Sequence, residues 1–116
     1  ENIRRVGEVA ALFQQSGILV MASFISPYRS DRERARDAAA DGFHEIYIKA
    51  DVETCIERDP KGLYQRALTG EILDFTGISA PYEVPEQADL IVDTGKLTVE
   101  QSIALLVDYV NTHFKV

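Results

Sequence analysis

The chain has no tryptophan, one methionine and one cysteine in 116 residues. A lone cysteine, Cys55, excludes an internal disulfide and fits a reducing compartment. Its surroundings read as a half-buried helix position rather than a catalytic thiol. No apolar stretch approaches the roughly 20 residues of a membrane span, and no basic, apolar, small-residue signal opens the chain. Basic charge is scarce: 12 Lys and Arg against 19 Asp and Glu leave a net charge of −7. That balance argues against a nucleic-acid backbone or an anionic membrane as the main partner. His44 and His113 lie far apart, with no cysteine or acid at metal-ligand spacing, so both read as structural or exposed. There is no Ser-His-Asp elbow. No G-x-x-x-x-G-K-[S/T] phosphate loop is present, because Gly95-Lys96 is followed by Leu97.

What is there is an ordinary globular composition, 46% apolar and 27% charged, which bounds the chain to one domain with a modest core. The few basic residues are clustered. Residues 26–36 hold four arginines (29, 32, 34 and 36) against Asp31 and Glu33, a local balance of +2. Residues 58–66 hold Arg58, Lys61 and Arg66 against Asp59, again +2. Two basic islands on an acidic body point to a small polyanionic ligand. The chain starts at Glu1 inside a helical pattern (Ile3, Val6, Ala10 and Phe13 on one face), with nothing before it to serve as a cap. It reads as part of a longer protein.

Helix and strand alternate, which argues for parallel βαβ units. A first helix is expected over Asn2–Ser16, ended by Gly17. Residues 18–25 are an unbroken apolar run, expected to be a strand buried on both faces of a parallel sheet. Ser26-Pro27 stops it, because proline cannot continue a ladder and restricts the residue before it. Ser30-Asp31-Arg32-Glu33 has the form of a capping box opening a helix that ends near Asp41-Gly42. A second strand is expected over 43–50, a helix capped by Asp51 up to about Arg58, and a short helix over 63–69. Residues 70–88 read as loop. With the turn at 59–62 they form an irregular excursion long enough to be a lid. A third strand is expected over 88–94. Thr98 with Gln101 is another capping box, before a last helix whose core stripe is Ile103, Leu106, Val107, Val110 and Phe114.

In open α/β sheets, ligands bind beyond the carboxyl ends of the strands. The tract Ser26-Pro27-Tyr28-Arg29 sits at such an end, so it is favoured as a phosphate- or sulfate-facing corner over a plain strand terminus. Arg29, Arg32 and Arg36 share a helix face, and arginine's fork suits phosphate oxygens. Arg34 and Arg36 read instead as a solvated mixed-charge face. Lys61-Gly62 lets an ammonium approach a phosphate closely. Phe75, between glycines in a polar loop, either anchors that loop or stacks on a base, and physics leaves the two even.

Taken together, several tracts resemble one family, the adenylylsulfate (APS) kinases. They are Glu1-Asn2-Ile3-Arg4-Arg5-Val6, Ser23-Phe24-Ile25-Ser26-Pro27-Tyr28-Arg29, Arg58-Asp59-Pro60-Lys61-Gly62-Leu63-Tyr64, Gly70-Glu71-Ile72, Phe75-Thr76-Gly77-Ile78 and Pro81-Tyr82-Glu83-x-Pro85-Glu86. The resemblance implies an α/β, P-loop kinase-like parallel sheet flanked by helices. It also implies transfer of the ATP γ-phosphoryl to the 3′-hydroxyl of APS, giving PAPS for sulfate assimilation. By motif, Asn2, Ile25, Ser26, Pro27, Tyr28, Lys61 and Phe75 correspond to the APS site. Ser26 also matches the family's phosphoserine position and is the catalytic candidate. Arg58, Thr94, Gly95 and Leu97 fall where the family surrounds the ATP adenine. The implied cofactor is Mg²⁺ with ATP, its ligands outside this chain. The implied partners are APS and ATP, with no nucleic acid and no membrane, in a cytoplasmic homodimer or a fusion with an ATP sulfurylase component.

The family's first strand, its P-loop and its acidic Asp-Gly-Asp segment have no counterpart in these residues. Residues 1–116 are therefore expected to be a single partial APS kinase domain with its lid at about 58–88. In P-loop kinases the first strand lies between the strands matching 18–25 and 43–50. Without it, each unpaired buried backbone group costs roughly 1–3 kcal/mol, so the fragment alone is not expected to fold as an independent kinase. The alternative is a catalytically inactive APS/PAPS-binding regulatory domain. A generic nucleoside kinase would not explain the Phe75 and Pro81-Tyr82-Glu83 tracts together.

Overall fold

The computed structural model describes residues 1–39 and 41–114. Helix α1 spans Asn2–Gln15, and the chain turns out of it at Gly17, whose φ of +83° suits a residue without Cβ. Helix α2 spans Arg29–Ala39 and packs along α1. The contact is close because Gly7 and Ala11 are the buried residues of α1. A Cβ on Gly7 would stand 3.0 Å from Ala35 Cα. Ile3, Val6 and Ala10 share this half-buried face, whereas Phe13, expected on it, is about half exposed.

Strand β1 (Ile46–Lys49) pairs in parallel with β2 (Leu90–Asp93), in the register Ile46 to Leu90 through Lys49 to Asp93. Between them lie α3 (Val52–Arg58), capped by Asp51 accepting from Thr54 N at 2.7 Å, and α4 (Leu63–Leu68). The carboxyl of Asp51 is held below its ordinary range by that cap, with Arg58 adding a little. Helix α5 (Val99–His113) opens on the expected capping box, Thr98 and Gln101 bonding reciprocally. It packs on β2, with Ser102 buried and Leu105, Leu106, Tyr109 and Val110 half-buried, while Ile103 and Val107 of the expected stripe are exposed. Half-buried Phe114 packs on the His44 ring at 4.6 Å.

Two further expectations fail, for physical reasons. Residues 18–25 join no ladder among the described residues, and most of their apolar side chains are exposed. A strand needs a neighbouring backbone, and here β1 is paired along one edge only. The Ser30-Glu33 box does not form either: Ser30 lies inside α2, which begins one residue earlier. The first amide of α2 is capped from a distance instead. Arg29 N donates to Glu83 Oε1 at 2.8 Å, a carboxylate placed at the positive end of the helix.

The core is thin. Ala11, Ala67 and Val92 are the buried apolar residues among those described. The accessible surface of 8480 Å² exceeds the roughly 6300 Å² expected for a chain of this mass by about a third. The radius of gyration, 15.7 Å, likewise exceeds the ~13.4 Å of a compact chain of this length.

The α1–α2 contact should therefore tolerate no added bulk at Gly7. Gly7→Val is expected to destabilise the protein by about 1–3 kcal/mol through overpacking against Ala35. A urea midpoint within error of the wild type would rule that out.

Candidate functional site

A cavity of about 940 Å³ opens between the residues following α1 and the β1 side of the sheet. One wall is Ile18, Leu19, Val20, Ala22, Phe24 and Ile25, ending at Ser26; the facing wall includes Ile46, Tyr47, Ile48 and Ala50. The loop after α4 contributes Ile72, Phe75, Thr76 and Gly77, so segments far apart in the sequence meet across one space. Of the sequence-derived acceptor residues, Ile25, Ser26 and Phe75 line it.

The Ser26 corner is held in an uncommon conformation. Ser26 has φ +39°, and its hydroxyl donates weakly to Phe24 O at 3.5 Å. Pro27 O accepts from Glu83 N at 2.8 Å, which brings the tract 81–86 against the corner. Arg29 does not stand free beside the Ser26 hydroxyl as a phosphate ligand. Its Nε donates to Val84 O at 3.0 Å and its Nη1 lies 3.6 Å from Glu86. Arg32 is buried and donates from Nη1 to Ser26 O and from Nη2 to Glu83 O, each at 2.6 Å. Arg36 faces Glu33, Glu45 and Asp89, the mixed-charge face expected of it.

The lid side is built on α3 and α4. Asp59 accepts from Tyr64 N at 3.0 Å and Gln65 N at 3.1 Å, fixing the entry to α4. The Phe75 ring meets Tyr64 edge to face at 4.8 Å, so it both anchors its loop and lines the cavity. Burial raises the Tyr64 phenol above its ordinary range, with Cys55 adding to the effect. Cys55 is half-buried in α3, as expected. Burial also raises Tyr82, whose ring stacks on Tyr47 at 6.3 Å; Arg32 partly opposes that shift. Both phenols therefore remain neutral near pH 7.

A second ledge lies at the carboxyl ends of β1 and β2. Arg58 donates to Thr94 Oγ1 at 3.0 Å and to Thr94 O at 2.6 Å, and Thr94 Oγ1 donates to Lys49 O at 2.8 Å. Gly95 N donates to Asp93 Oδ1 at 3.2 Å, and Leu97 N to Asp93 O at 3.0 Å. Arg58, Thr94, Gly95 and Leu97 are thus gathered in one place, outside the cavity lining.

The remaining candidates sit at its margins. Asn2 is exposed in the first turn of α1, next to Ile3, which does line the cavity. Pro27 and the exposed Tyr28 lie at the outer side of the corner, and Lys61 is exposed on the turn before α4. His44 and His113 come together at 5.7 Å with Tyr109 between them, a structural aromatic cluster. Among the described residues no group of three or more His, Cys, Asp or Glu could hold a metal ion. No described helix is long and apolar enough to cross a membrane. The sequence reading missed Tyr82 and Glu83 as site-building residues, and it put Arg32 on a phosphate-facing helix face where the structure ties it to two backbone carbonyls. The available signal for Tyr82 and Glu83 was the tract Pro81-Tyr82-Glu83-Val84-Pro85-Glu86, with two prolines fixing its path.

Residues 1–93 match the family described as adenylylsulphate kinase. The adenylyl-sulfate kinase of Bacillus velezensis is 53% identical over 111 residues, covering 95% of this chain and 56% of that protein. That of Geotalea uraniireducens is 52% identical, covering 95% and 53%. Among solved structures, the Mycobacterium tuberculosis APS kinase in complex with AMPPNP and APS superposes with a TM-score of 0.82 at 38% identity. It covers 91% of this chain and 63% of that one. The chain spans a little over half the length of the curated relatives it matches. With the parallel α/β core these matches agree on one conclusion: the chain belongs to the adenylylsulfate kinase family.

Proposed function

We propose that the protein carrying this chain phosphorylates the 3′-hydroxyl of APS with ATP, and that residues 1–116 supply the acceptor pocket, lid and adenine ledge of that kinase. The observation that carries this reading is the convergence of Ile25, Ser26 and Phe75 on one cavity walled by the apolar run 18–25. The kinase activity for which the relatives are named, and the AMPPNP and APS bound in the M. tuberculosis structure, support it. In the reaction the 3′-oxygen forms a bond to the γ-phosphorus while the bond to the bridging β–γ oxygen breaks. ADP leaves, PAPS forms, and the hydroxyl proton is released to solvent.

In this reading Phe75 is one face of the adenine sandwich of APS, Ile25 and Ser26 line the nucleotide, and Pro27 and Tyr28 flank it. Asn2 reaches the nucleotide from α1. Lys61 reaches in from the lid when the excursion 58–88 closes, adding positive charge beside the transferring group. Ser26 acts as an acceptor-positioning hydroxyl, since direct in-line transfer needs no phosphoenzyme. Arg58, Thr94, Gly95 and Leu97 form the edge against the ATP adenine. Among the described residues no group of three or more His, Cys, Asp or Glu could hold Mg²⁺, which would come with ATP and be held by ligands outside this chain.

The chain contains no G-x-x-x-x-G-K-[S/T] loop. The groups that grip the ATP phosphates therefore belong to protein outside these 116 residues, and the unpaired edge of β1 beside residues 18–25 is where a strand leading to such a loop would fit. Residues 1–116 alone are a partial domain and are inactive. A cytoplasmic homodimer, or a fusion with an ATP sulfurylase component, accords with the resemblance. The second reading, a binding-only regulatory domain, rests on the same missing loop.

Assay of the full protein with ATP and APS separates the two readings: PAPS formation supports the kinase, and APS binding without turnover supports the regulator. Phe75→Ala is expected to weaken APS binding by about five- to a hundredfold, the range for loss of one base–aromatic stack. An unchanged calorimetric Kd would remove Phe75 from the site. Thr94→Val, which removes the hydroxyl bonds to Arg58 and to Lys49 O but leaves Arg58 on Thr94 O, is expected to raise KM for ATP about fivefold and leave KM for APS unaltered. An equal rise for both substrates would refute the assignment of this ledge to ATP.

A further inference from the structure

We infer that Arg32 is a positioning residue, and that with the tract 81–86 it forms a clasp that sets the conformation of the Ser26 corner. Two facts about Ser26 call for such a device. Its φ of +39° lies in the left-handed region that non-glycine residues rarely adopt. It also precedes Pro27, which biases the preceding residue toward extended backbone. Such a conformation costs about 1–3 kcal/mol and persists only where the surroundings over-determine it.

The surroundings do so from one direction. Arg32 is 8% exposed, and its two terminal nitrogens donate to Ser26 O and Glu83 O, each at 2.6 Å. One planar fork thus ties the corner to a tract more than fifty residues away, with a geometry that a lysine could not reproduce. Glu45 faces Arg32 Nε at 3.9 Å, and the guanidinium lies 5.8 Å from the Tyr82 ring centroid. The tract reinforces the tie from its own side. Glu83 N donates to Pro27 O, Glu83 Oε1 accepts from Arg29 N, and Val84 O accepts from Arg29 Nε. Both carbonyls held by Arg32 would lose a charged donor if it were removed, and the corner would lose what opposes its backbone preference.

This assigns a task to Pro81-Tyr82-Glu83-x-Pro85-Glu86, which contributes no direct ligand to the proposed reaction. The tract holds the serine corner in register with the cavity. The consequence for APS rests on the function proposed above; the clasp itself does not.

The test uses the full protein that carries this chain, with Arg32→Lys, Glu83→Ala and Glu83→Gln variants, followed by hydrogen exchange and steady-state kinetics. Arg32→Lys should speed exchange at the Glu83 amide at least about tenfold while the β2 amides keep their wild-type rates. It should raise KM for APS about tenfold with KM for ATP unchanged. Glu83→Ala should act in the same direction, with Glu83→Gln restoring most of the loss because its amide oxygen can still cap α2. Wild-type exchange at Glu83 in both Arg32→Lys and Glu83→Ala would overturn the clasp. Faster exchange with an unaltered KM for APS would overturn its role at Ser26. A wild-type protein inert toward APS would defeat the proposed function instead, and the exchange data would still decide the clasp.

Discussion

A guanidinium taken out of water must be surrounded by acceptors, and that requirement organises much of this structure. Desolvating an unpaired charge costs several kcal/mol, so Arg32 is stable in its place only with partners at every nitrogen. Those partners come from the serine corner, from the Pro81–Glu86 tract and, through Glu45, from the entry to β1. None of these segments can move without leaving a buried donor or carbonyl unmatched. The corner is ordered because α2 brings an arginine beneath it, and α2 starts where it does because Glu83 caps its first amide.

The parallel pair of short strands provides the other fixed reference. Val92, the one fully buried large side chain among the described residues, sits within it, and α5 closes over β2. From that frame the chain leaves at the carboxyl ends, where Arg58, Thr94 and Lys49 are linked, and where the lid returns Phe75 to the cavity. The site is thus assembled from connections rather than from regular elements, as usual for a parallel α/β fold. The thin core and open β1 edge show how little of the sheet's hydrophobic surface these residues cover by themselves.

Much of this was legible in the residues. Asp51 and the Thr98–Gln101 box mark helix starts, and Gly17 marks a helix end, because these signals act within four residues and need no tertiary partner. The Ser30–Glu33 box looked the same and did not form, since a distant carboxylate competes better for the same helix end. Phe13, Ile103 and Val107 fit a helical apolar face, yet face outward because each contact surface is rotated from the one the pattern suggests. Periodicity reports a face; it does not say which neighbour arrives there.

The apolar run 18–25 shows the limit most directly. The sequence by itself determined that this segment suits double-sided burial and that Ser26-Pro27 ends it, because side-chain chemistry and proline geometry are local. It also determined the family, through tracts whose residue order is unusual enough to stand alone. Whether the run becomes a strand depends on a neighbouring backbone, and that is a tertiary fact. So is the fate of three of the four clustered arginines, Arg29, Arg32 and Arg36. Composition could say only that they were basic; the fold decided that Arg29 and Arg32 bind carbonyls of a tract 50 residues away and that Arg36 meets acids. Burial and partner distance separate them, and neither quantity exists until the chain has folded.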